Sequence, residues 1–77
     1  MTSLARIRTA VLGPGTLARF AGGLPWRSIL TLGDGHSKNW WRHALADAED
    51  RGMLEWDRIE GRWCLTEAGR VAVRDVA

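Results

Sequence analysis

With 77 residues the chain has room for a single domain, 1–77, and a domain this small buries only about 60% of the surface its unfolded chain exposes. A lone cysteine, Cys64, excludes an internal disulfide and a cysteine-rich zinc site. The net charge of +2, from 11 Lys and Arg against 9 Asp and Glu, permits a nucleic-acid partner without demanding one.

Five tryptophans, Trp26, Trp40, Trp41, Trp56 and Trp63, supply the large side chains that a small core needs. All the cations but Lys38 are arginines, which suit bidentate contact with phosphate and are equally at home on a solvated face. No apolar run approaches the ~18 residues of a membrane span, and no signal peptide is visible. A cytoplasmic, reducing compartment fits, with Cys64 as a small residue within a strand.

Taken in chain order, Thr2 or Ser3 can cap a first helix with Leu4, Ile7 and Val11 on one face. Gly13-Pro14-Gly15 is expected to stop it. Thr16 can cap a second, short helix with Leu17, Phe20 and Ala21 inward, ending at Gly22-Gly23. Leu24 to Leu32 reads as a short helix or irregular turn, with Trp26, Ile29 and Leu30 inward, and then an extended piece. Gly33-Asp34-Gly35 is a loop.

The strongest helix runs from Ser37 to Arg51. Ser37 is its N-cap, Trp41, Leu45 and Ala48 form one apolar stripe, and Gly52 fits the left-handed position after its end. Strands are expected at about Met53 to Trp56 and Arg62 to Leu65, joined by a turn from Asp57 to Gly61. Thr66 then caps a last helix with Ala68, Val71 and Ala72 inward. The order predicts a mainly α fold with a small β-hairpin, a winged helix-turn-helix with the long helix for recognition and the hairpin as wing.

Three blocks carry a resemblance over about 13–73. Gly13-Pro14-Gly15-Thr16 opens an apolar helix that ends at Gly22-Gly23. Gly33 is followed by Ser37, Trp41, Leu45 and Gly52-Met53-Leu54. Leu65-Thr66-Glu67-Ala68-Gly69-Arg70 follows the wing. In these the chain resembles the RQC winged-helix domain of RecQ-type DNA helicases. It departs from that pattern in the compressed stretch Leu24 to Leu32, and in Ala46-Asp47 where an Arg-Gln pair is often seen. The resemblance implies a domain that holds duplex, forked or junction DNA beside a helicase core in the same parent protein. The family's ATPase loop and cysteine zinc site lie upstream of this domain, and neither motif is in this chain.

Candidate DNA contacts follow. Ser37, Lys38, Asn39, Arg42 and His43 cluster at the start of the long helix, where free N–H groups and the helix dipole favour a phosphate; Asn39 could read a base edge. Trp40 either stacks on a base or packs against Trp26 or the hairpin. Thr16 with Arg19 offers a second helix start, or a plain cap. The wing carries Arg58, Ile59 and Arg62, with Asp57 and Glu60 arguing against close DNA contact by the whole wing. His36 and His43 lack companions at metal-ligand spacing, so no metal, cofactor or catalysis is expected. Two rival readings remain: a free-standing regulator of phage or plasmid type, which the Met1 start would suit, and a protein-interaction module.

Overall fold

The computed structural model describes residues 10–32 and 35–76. The expected helix over Leu4 and Ile7 lies outside these residues. Its last expected member, Val11, is in non-helical chain and 44% exposed, while Ala10 and Leu12 on either side are buried. That alternation is the period of extended chain, not of a helix face.

Helix α1 is Pro14–Ala18. It begins earlier than Thr16 because Pro14 suits the first helical turn, where its missing N–H is no loss, and Gly13 takes the N-cap position. Gly13-Pro14-Gly15 therefore starts a helix where a stop was expected, and Thr16 is an interior residue and not a cap. Phe20, in the turn that follows, is fully buried, whereas Ala21 is exposed.

Helix α2 is Trp26–Ile29. The extended piece of this stretch precedes α2, where sequence placed it after. Leu24 forms an antiparallel bridge with Trp63, each N–H donating to the other's carbonyl at 2.9 and 2.8 Å. Ile29 is buried, Trp26 is half-buried, and Leu30 turns outward.

Helix α3, Lys38–Asp50, is bounded as its sequence requires. The Ser37 hydroxyl accepts from the Trp40 N–H at 3.1 Å. At the other end Gly52 adopts φ +75°. Its N–H donates to Glu49 and the Met53 N–H donates to Ala48, both at 2.9 Å, the paired bonds of a Schellman stop. Trp41, Ala44, Leu45 and Ala48 form the buried stripe.

Strands β1 (Leu54–Asp57) and β2 (Arg62–Leu65) pair antiparallel, with Leu54 opposite Leu65 and Trp56 opposite Trp63. The Asp57 carboxylate accepts from the N–H groups of Ile59 and Glu60, each at 3.0 Å, which fixes the turn. Helix α4, Glu67–Val76, packs on α1 and β2.

Thr66 closes the exit from the hairpin in three ways. Its N–H donates to the Met53 carbonyl at 3.0 Å, its hydroxyl donates to the Gly52 carbonyl, and the same hydroxyl oxygen accepts from the Gly69 N–H at 3.0 Å. Starting α4 there turns Gly69 inward, and Ala68 and Val71, expected inward, are exposed. A side chain on Gly69 would put its Cβ 2.1 Å from the Met53 carbonyl oxygen, so only glycine lets α4 approach this closely. The core joins Phe20, Ile29, Trp41, Leu45, Leu54 and Leu65 with smaller residues from the segments around them.

Candidate nucleic-acid interface

The first turns of α3 present Lys38, Asn39, Arg42 and His43, all exposed. At 3.6 residues per turn Lys38 and Arg42 share one column and Asn39 and His43 the next. The Arg51–Asp47 pair at 2.9 Å is the only salt bridge among the described residues, so Lys38 and Arg42 have no carboxylate partner there.

The charges on α3 run against its dipole. Its first turn holds no acidic residue and its last turn no basic one, while Glu49 and Asp50 sit exposed at the end. A cation at the positive end of a helix, or a carboxylate at the negative end, costs roughly 0.3–1 kcal/mol at low salt. An anion placed at Ser37 and Lys38 relieves the first of these.

Arg42 leans toward α2: its guanidinium carbon stands 5.9 Å from the centroid of the Trp26 ring. Trp26, Arg42, Leu45 and Trp63 line a shallow pocket of about 200 Å³. Trp56, 40% exposed, tilts against Trp63 with ring centroids 5.5 Å apart.

Trp40 lies on the other flank of α3, roughly 160° round the helix from Arg42. It packs neither against Trp26 nor on the hairpin in any aromatic contact: His36 stacks on it at 3.5 Å with the rings 8° from parallel, and its other neighbour is the edge of Trp41 at 5.0 Å. Sequence reasoning missed His36 as its partner. The four-residue spacing from His36 to Trp40 was the available signal, although it crosses the cap and is not a helical pair.

The remaining candidates separate from α3. Thr16 is half-buried inside α1 and Arg19 is exposed at that helix's C-terminal end, so they do not form a helix N-terminal anion site. Arg58 and Ile59 occupy the hairpin turn, with Ile59 94% exposed. Asp57 is engaged in building the turn. Arg62 is half-buried; its side chain lies over Gly23, where an added Cβ would come within 2.7 Å of Cδ, and Nη1 donates to the Gly22 carbonyl at 3.4 Å. It ties the hairpin to the Gly22-Gly23 turn and does not stand free on the wing.

Among the described residues no three of His, Cys, Asp or Glu converge on a possible metal position. No helix among them is long and apolar enough to cross a membrane. Comparison with family models, curated proteins and solved structures finds no match to this chain.

Proposed function

We propose that the chain is a winged-helix module that binds DNA through phosphate contacts at the N-terminal turns of α3. The winged-helix reading is supported by the order α1, Leu24 bridge, α2, α3, β1, β2, α4, with β2 pairing both to β1 and to Leu24. The observation that carries the function is the exposed set Lys38, Asn39, Arg42 and His43 at a helix end whose own charges leave it short of an anion. The resemblance of its motifs to the RQC domain supports a role as the accessory DNA-binding part of a RecQ-type helicase, whose ATP hydrolysis would belong to a separate motor.

Binding to blunt duplex, forked and single-stranded DNA, measured across a salt series, tests this. Phosphate contacts give a steep fall of affinity with salt, and Lys38→Ala and Arg42→Ala should each flatten the slope by about 0.9 per lost contact on B-form DNA. Glu49→Ala should not weaken binding. If both cation variants bind every DNA like the parent chain at low salt, α3 is not the interface. Tolerance of Arg58→Ala as well would favour a protein partner.

A further inference from the structure

We propose that the pocket between Trp26, Arg42, Leu45 and Trp63 receives one unpaired nucleobase, stacked on the Trp26 indole beneath the Arg42 guanidinium. This rests on the DNA-binding reading of α3 and names the kind of DNA that the domain prefers.

The spacing is the first argument. Carbon surfaces in contact lie about 3.5–4 Å apart, so a flat ring held between two others needs roughly 7 Å. Arg42 stands 5.9 Å from the Trp26 centroid, too far for close stacking and about 1 Å short of a slot that takes a ring. Arg42 is exposed and has no carboxylate partner among the described residues, so its long side chain is free to make up that difference. Leu45, 2% exposed, gives the slot an apolar floor, and Trp63 gives it an aromatic wall.

Charge and position select the occupant. The lining combines two aromatic side chains with one permanent cation and no carboxylate, which suits the π face of a base joined to an anionic backbone. Lys38 lies one turn before Arg42 on the same column, so a strand whose phosphate meets the start of α3 can deliver its neighbouring base to the pocket. A base paired and stacked within a duplex is not available to enter. A base at a fork, in a gap or on a single-stranded overhang already is, and its unstacking is least costly.

The experiment compares three DNAs with one duplex sequence: a blunt duplex, a fork, and the same fork lacking the base at the junction nucleotide. The 77-residue chain should bind the complete fork about tenfold more tightly than the abasic fork. Trp26→Ala should erase that difference between the two forks. The comparison of the two forks uses the unmodified protein, so it decides the matter even if Trp26→Ala fails to fold. Equal affinity for both forks, with salt-dependent binding to the blunt duplex, overturns the pocket and leaves the DNA reading standing. Failure to bind any of the three at low salt overturns both.

Discussion

The two ends of α3 make opposite use of the same helix. At its C-terminal end Gly52 and Met53 close the backbone, Arg51 pairs with Asp47, and the Gly52 carbonyl accepts from Thr66, while Glu49 and Asp50 are exposed. At its N-terminal end the Ser37 hydroxyl accepts from the Trp40 N–H and the Ser37 carbonyl from the Trp41 N–H, and Lys38, Asn39, Arg42 and His43 are exposed. One end is closed by contacts within the chain, and the other carries exposed cations with no carboxylate partner among the described residues. The contrast also bears on sequence signatures. Leu65-Thr66-x-x-Gly69 is the more familiar pattern, yet its residues serve packing: Thr66 caps α4, and Gly69 clears the Met53 carbonyl.

The contrast breaks most visibly at Gly69. Gly69→Ala drives a Cβ into backbone and should destabilise the domain by about 3 kcal/mol in denaturant titration. Where the variant is still folded, its DNA affinity should be that of the parent chain. A loss below about 1 kcal/mol would mean that α4 does not approach Met53 so closely.

Ser37→Ala should cost about 1 kcal/mol of stability, because the Trp40 N–H loses its acceptor. Unlike Gly69→Ala, it should also weaken DNA binding, since the same turn is the proposed phosphate seat. Parent-like affinity in a measurably destabilised variant would place the ligand elsewhere.

The smallest effect has the opposite sign. Lys38→Glu supplies the acid that the first turn of α3 lacks and should stabilise the free domain by about 0.5 kcal/mol. The same change should abolish the contribution of that turn to DNA binding. A variant that is both less stable and fully competent to bind would remove the argument from the helix dipole altogether.

The long helix, its cap and its stop were legible in the sequence because each is a local matter: a hydroxyl before the first turn, a 3.6-residue stripe, a glycine after the last. The hairpin was legible for the same reason, and so was the exposure of Lys38, Asn39, Arg42 and His43. What sequence misplaced depends on partners distant in the chain. Leu24 is extended because Trp63 pairs with it, and Arg62 is held by the Gly22-Gly23 turn. The inward face of α4 was misread because hydrophobicity pointed to Ala68 and Val71, whereas the Thr66 cap fixes a register in which the inward position must have no side chain. Thr16 was misread because a hydroxyl was weighed above Pro14, which sets the start of α1.

The Leu24 bridge also bears on how copies of this protein behave in concentrated solution. With β2 paired to β1 along its length and to Leu24 at Trp63, the outer side of β1 is the border of the hairpin that has no strand partner among the described residues. Such a border is where chains zip together into fibrils. Here it is only four residues long, with an exposed glutamate at Glu55 and Asp57 at its end. Two copies meeting there would set like charges side by side over a seam too short to reward the encounter, so the border discourages growth of a shared sheet.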